Sequence, residues 1–226
     1  IQRSRGLGDV YKRQVVRRSF IATGGTVLAT KLALNYGIAC NTAGGSHHAT
    51  SNEGAGFCVF NDVAVAAKYL TSRGLANKIL IIDLDVHQGN GNSEIFKNDN
   101  QVFTFSMHSK VNYPAKKSVS DLDIELEENL EDREYIDILK NNLKYLNEEE
   151  FDFVFYIAGV DIHYNDRLGK LKISDNGIFE RDELVIDNFF SNKIPICGVL
   201  GGGYNEDFNK LVELHSSLHK TCAKFL

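Results

Sequence analysis

The stretch "ILIIDLDVHQGNGN", residues 79–92, runs from aliphatic residues into two aspartates and a histidine at alternate positions. A continuous Ile/Leu run reads as a strand buried on both faces, as in a parallel sheet covered by helices. Asp83, Asp85 and His87 then project from one face of an extended segment, because side chains alternate along a strand. Three ionisable groups on one buried face are costly unless they are paired or hold a cation. A solvated edge strand with a capping aspartate is the alternative, and the aliphatic run before it argues against that.

Working outward, helical and strand patterns alternate along the chain. Helical spacing covers 24–37, with Gly37 as a stop signal, and 60–74, opened by Asn61 or Asp62 and closed by Gly74. Short strands are expected at 38–40, 101–107, 151–160 and 194–200. Further helices are expected at 92–99, 131–149, 181–192 and from Asn205 onward, and the polar segment 109–129 reads as a long loop. Apolar strands alternating with helices indicate an α/β fold with a central parallel sheet and helices on both faces. In such sheets ligands bind beyond the carboxyl ends of the strands. The chemistry-bearing segments fall there: "NTAGGSHHAT", "DLDVHQGNG", "SMHS", "AGVDIHYND" and "LGGGYN" each follow an apolar run.

Several of these segments suggest roles. Catalytic zinc takes three protein ligands and keeps one position open. Asp85 and His87 supply two, and Asp161, at the end of "FVFYIAGVD", is a natural third. The tandem His47 and His48, if they face a bound water, can divide proton acceptance from charge tuning, with Asp83 and Asn90 as orienting partners; solvated loop histidines are the other reading. Tyr204 after "GGG" can donate to an oxyanion, or pack in the core after a turn. Phe57, in a glycine-rich loop, can line a channel or fill the core, and Tyr113 is a candidate for the opposite wall.

Bulk properties narrow the class. A chain of 226 residues suits one domain, and a net charge of −5 argues against nucleic acid as a partner. Cys40, Cys58, Cys197 and Cys222 show no CxxC spacing and mostly sit in apolar segments, which favours free thiols over disulfides. No membrane-spanning run or leader pattern is visible, and a cytoplasmic location is expected. Residues 1–14, "IQRSRGLGDVYKRQ", lack a helical or strand period and resemble a translated library adaptor. They are set aside from the fold, leaving 15–226 as a single domain.

Together, "GGSHHA", "GFCVFND", "DLDVHQGNG", "AGVDIHYNDRLG" and "GGGYN" resemble, in order and spacing, the zinc-dependent histone deacetylase family, from about Thr23 to the end. "TGGT", "HQGNG" and "NDRLG" point to its class IV branch and bacterial relatives. The resemblance implies an arginase/deacetylase-like three-layer fold and hydrolysis of an acyl-lysine or acyl-amine. It implies zinc ligands Asp85, His87 and Asp161, with His48 as general base and His47 as its electrostatic companion, held by Asp83. Asn90, where other branches carry aspartate, would orient His48, and Tyr204 would polarise the scissile carbonyl. Phe57 and Tyr113 would flank the acyl channel, with Leu168 near its floor and the Gly56 carbonyl close by. A structural potassium ion is also implied, on Asp83, Asp85, the His87 carbonyl, Ser106 and the Met107 carbonyl. The family's segment before the helix at 24–37 has no counterpart here, which implies exposed apolar surface. Rival readings are an arginase-type binuclear manganese ureohydrolase and a non-catalytic acyl-lysine binding module.

Overall fold

A computed structural model describes the backbone of residues 7–225 and the side chains of residues 12–225. Residues 1–6 of the adaptor-like segment lie outside the described residues. Residues 7–14 are helical, since the first helix, α1, runs Leu7–Tyr36 and begins well upstream of the pattern at 24–37, with residues 12–18 exposed. After it come β1 (Ile38–Cys40), α2 (Asp62–Ser72), β2 (Ile79–Asp83), α3 (Asn90–Phe96), β3 (Val102–Ser109) and β4 (Leu122–Leu126). The chain closes with α4 (Asp132–Leu146), β5 (Phe153–Ile157), α5 (Asp175–Ser191), β6 (Ile196–Val199) and α6 (Phe208–Cys222).

The strands form one parallel sheet in the order β1-β6-β5-β2-β3-β4. Its central strands are buried on both faces, which accounts for their unbroken apolar sequences. Alternation divides β2 between two cores. Ile79 and Ile81 pack with Ala29 and Ala33 of α1 and Ala66, Ala67 and Leu70 of α2. Leu80 and Ile82 join Leu139 and Leu143 of α4, Val185 and Phe189 of α5 and Leu214 of α6. The result is three layers, with the alanine-rich side letting α1 approach β1 and β6 closely.

Two elements differ from the sequence expectation. The loop expected at 109–129 contains edge strand β4, paired in register with β3 as Met107↔Ile124. Its alternation, Leu122, Ile124 and Leu126 with acids between, suits an edge strand with one half-exposed face, and the acids disguised it as loop. Helix α5 starts at Asp175 rather than 181, because Ser174 caps it by accepting the Gly177 N–H at 3.2 Å. All four cysteines are free, with the Cys40 and Cys222 sulfurs 2.9 Å apart. Apolar side chains exposed along α1 include Phe20, Ile21, Leu28 and Tyr36. No helix among the described residues is long and apolar enough to cross a membrane.

This topology sets the position of the site. From β2 the chain proceeds outward to β3 and β4, then returns to place β5 on the other side of β2. The reversal opens a crevice beyond the carboxyl ends of β2 and β5, where parallel sheets bind ligands. Asp83 ends β2 there, Asp85 and His87 follow it, and Asp161 follows β5.

Candidate metal centre and active-site cleft

The period-two residues at the end of β2 and just beyond it take two directions. Asp83 lies against the tandem-histidine loop, its Oδ2 2.6 Å from His47 Nδ1 and its Oδ1 accepting the Asp85 N–H at 3.1 Å. Asp85 and His87 turn toward Asp161. His87 Nδ1 sits between two carboxylates, 3.0 Å from Asp85 Oδ1 and 3.1 Å from Asp161 Oδ2. Backbone donors pin both acids: Gly202 N–H reaches Asp85 Oδ2 at 2.6 Å, and Val86 N–H reaches Asp161 Oδ1 at 2.9 Å.

One potential ligand atom from each of Asp85, His87 and Asp161 lies within 4.8 Å of the others, all buried. The electrostatics fit a cation. Burial disfavours a charged His87 imidazole, but Asp161 and Asp85 outweigh it and raise its pKa to about 10. Burial and the neighbouring Asp85 push Asp161 up to about 7. Two buried carboxylates converging on one imidazole draw protons into the cluster, a place a cation can take, and O/N donors of this kind suit a divalent metal. The donor set therefore fits the metal that the motif pattern implies.

The tandem histidines lie beside this triad. His48 Nδ1 is 2.7 Å from the side-chain oxygen of Asn90, at the start of α3, and the two imidazole centroids are 4.0 Å apart. Their environments diverge. Burial would lower the His47 pKa, but Asp83 and Asp85 outweigh it and raise it to about 9. Burial and the adjacent His47 lower His48 to about 3, which keeps it neutral. The glycines of "HQGNG" permit this approach: a Cβ on Gly89 would stand 2.2 Å from Asp83 Oδ2, and one on Gly91 would stand 2.4 Å from the Ala49 carbonyl oxygen.

Tyr204 closes another side, with its ring 6.3 Å from His87 and 6.0 Å from Phe57. Burial, with Asp161 and Asp85 nearby, raises its pKa, so the hydroxyl keeps its proton. Phe57, at φ 65°, is 87 % exposed at the rim. Gly56 precedes it at φ 51°, and a Cβ there would lie 2.3 Å from His48. A cavity of about 570 Å³ runs between Gly56, Phe57, Tyr204, the tandem histidines and α1. Of the other expected channel residues, Tyr113 stands edge-on to His48 at 4.8 Å. Leu168 is half-exposed, its carbonyl accepting from Asn112 at 2.7 Å. For the potassium set, Asp83 and Ser106 are partners across β2 and β3, while Ser106 Oγ is 2.9 Å from His108 Nδ1.

Three further residues organise the site in ways the sequence reading missed. Asp62, read there only as a helix cap, accepts from Thr26 Oγ1 at 2.6 Å, Ser46 N at 2.8 Å and Gly45 N at 3.2 Å, and so holds the loop that delivers His47. Asp166 accepts the Tyr204 N–H at 2.6 Å through one oxygen and the Leu168 and Gly169 N–H groups, each at 2.9 Å, through the other. Its place inside "NDRLG" was the available signal. Arg181 is buried in α5 behind the triad, and nothing in the helical pattern marked it out.

Comparison with known proteins agrees with this fold. The histone deacetylase domain family matches residues 6–218. An uncharacterized protein of Picosynechococcus sp. is 48% identical over 217 residues, spanning 96% of this chain and 72% of its own length. Histone deacetylase 2 of Arabidopsis thaliana is 36% identical over 194 residues, 84% of this chain, of which the chain covers 50%. The crystal structure of an HDAC homolog from Aquifex aeolicus superimposes with a TM-score of 0.77 at 27% identity, covering 92% of this chain and 57% of that one. The chain thus spans only about half of some relatives it matches. With the family match covering nearly all of it and the crevice carrying the motif residues, the chain belongs to the histone deacetylase domain family.

Proposed function

We propose that the protein hydrolyses an acyl-amide bond of an acyl-lysine or acyl-amine, with zinc held by Asp85, His87 and Asp161. The observation that carries this reading is a cavity lined by a histidine pair with opposed protonation, a tyrosine and Asp85, with Asp85 joined behind it to His87 and Asp161 in a buried ligand triad. When bound, zinc supplies Lewis-acid polarisation of the acyl carbonyl and a water of lowered pKa.

The protein groups divide the remaining work. His48 donates its Nδ1 hydrogen to Asn90, which leaves Nε2 free to accept a proton from the attacking water. His47, held cationic by Asp83, supplies positive charge beside the developing oxyanion. The neutral Tyr204 hydroxyl donates to that oxyanion, with Asp166 anchoring its backbone. His48, once protonated, passes its proton to the leaving amine. Pairs of groups whose environments push their pKa values apart mark acid–base assignments, and this pair fits that pattern.

Turnover of acetyl-lysine peptides and acetylated polyamines by the zinc-loaded chain tests the reading. His48→Ala is expected to slow hydrolysis about a thousandfold, within the range for loss of a general base. Tyr204→Phe is expected to cost about a hundredfold, as for one oxyanion donor. Wild-type rates in both variants would overturn the assignment. Acyl-lysine binding without any hydrolysis would point to a binding module instead.

A further inference from the structure

We propose that Arg181 is a positioning residue: its buried guanidinium sets the separation of Asp85 and Asp161 by clamping the chain just beyond the ends of β2 and β5. The inference rests on the metal reading of that triad. Arg181 is fully buried on α5. One terminal nitrogen donates to the Gly159 carbonyl at 2.5 Å and points at the Leu84 carbonyl at 3.5 Å. The other reaches the Ala158 carbonyl at 3.4 Å and Asp182 Oδ1 at 2.8 Å, and Nε donates to the same oxygen at 3.0 Å. Tyr156 of β5 donates to that oxygen at 2.5 Å, fixing the aspartate from the sheet side.

Leu84 immediately precedes Asp85, and Ala158 and Gly159 lie just upstream of Asp161. All three carbonyls lie past the last residues of their strands, Asp83 and Ile157. One rigid fork of donors therefore ties together the two chain segments that carry the ligands, near the point where strand pairing stops. A buried ion pair such as Arg181–Asp182 is weak evidence of stabilisation, because desolvation can cancel the Coulomb gain. Its placement against the ligand-bearing segments gives it a different use. Groups that orient metal ligands typically change metal affinity 10- to 100-fold when removed.

The test uses the full chain with Co²⁺ as probe, read by its visible absorption band and by competition with a chelator. Arg181→Lys keeps the charge beside Asp182 but loses the fork. It is expected to fold, bind Co²⁺ at least tenfold more weakly and show a shifted band. Tyr156→Phe disturbs the same buried cluster without touching the carbonyl clamp. It is expected to lower the melting temperature while keeping wild-type affinity and band. Folded Arg181→Lys with wild-type affinity and band would overturn the inference, as would Tyr156→Phe shifting both as much. Arg181→Gln replaces Arg181→Lys if the latter does not fold. Failure of both to fold would assign Arg181 to folding and overturn the inference. A wild-type chain that binds no Co²⁺ would instead overturn the metal reading on which it rests.

Discussion

Asp161→Ala is expected to abolish stoichiometric metal binding and slow amide hydrolysis on the order of ten-thousand-fold, roughly 5 kcal/mol of lost transition-state stabilisation. Asp161 is fully buried and contributes one of the three converging ligand atoms. Its Oδ2 lies 3.1 Å from His87 Nδ1, and its Oδ1 accepts the Val86 N–H. Alanine removes the ligand and leaves that amide without its acceptor, so Val86 loses its tie to the segment after β5 as well. On the proposed mechanism the effect exceeds that of His48→Ala, because the metal held by Asp161 would supply both the activated water and the polarised carbonyl. The apolar layers lie outside the change, so cooperative thermal unfolding should persist. Metal content by elemental analysis, alongside turnover, checks the result. A variant retaining one zinc per chain and wild-type turnover would remove Asp161 from the site.

Much of this arrangement is visible in the sequence for a physical reason. Strands β2 and β5 must be apolar on both faces, so their ends show where apolar residues give way to Asp83 and Asp161. Alternation then predicts Asp83, Asp85 and His87 on one side, whereas β2 stops at Asp83, which turns to His47, and only Asp85 and His87 meet Asp161. Other features leave no such trace. The register of Ile79 against Phe153 is a long-range pairing that local pattern does not encode. Strand β4 is half-exposed, and its acids imitate a loop. Asp62 serves at once as the first residue of α2 and as acceptor for the Gly45 and Ser46 amides, and only the first use has a local signature. Arg181 sits among ordinary helical residues, and only the fold shows that it faces the ends of two strands. The sequence thus exposes groups whose position breaks a pattern and conceals those whose partners are distant.

The triple glycine before Tyr204 shows the same division. Read as sequence, "GGG" at 201–203 is a flexible stretch that ends the last strand before Tyr204. The structure gives it a different purpose, which is close approach. Gly201 adopts φ +73°, a conformation that costs other residues energy. A Cβ on Gly202 would lie 2.1 Å from Asp161 Oδ2 and 2.8 Å from Asp85 Oδ2. Its N–H donates to Asp85 Oδ2 at 2.6 Å and its carbonyl accepts from Val160 at 2.7 Å, so the backbone is held from both sides and has little room to retreat. Gly202→Ala is therefore expected to displace the Asp161 carboxylate and lose the metal, with hydrolysis falling on the order of ten-thousand-fold, as in the ligand deletion. The methyl alters no charge and removes no ligand, which makes the variant a test of geometry alone. Gly203→Ala is a demanding comparison, since a Cβ there meets His215 Nε2, Val160 and Leu211 at 2.6–2.8 Å rather than a ligand carboxylate. It should lower the melting temperature while retaining more metal than Gly202→Ala. Full zinc content and wild-type turnover in Gly202→Ala would show that the loop yields easily, and that the carboxylates are not fixed by the backbone packed over them.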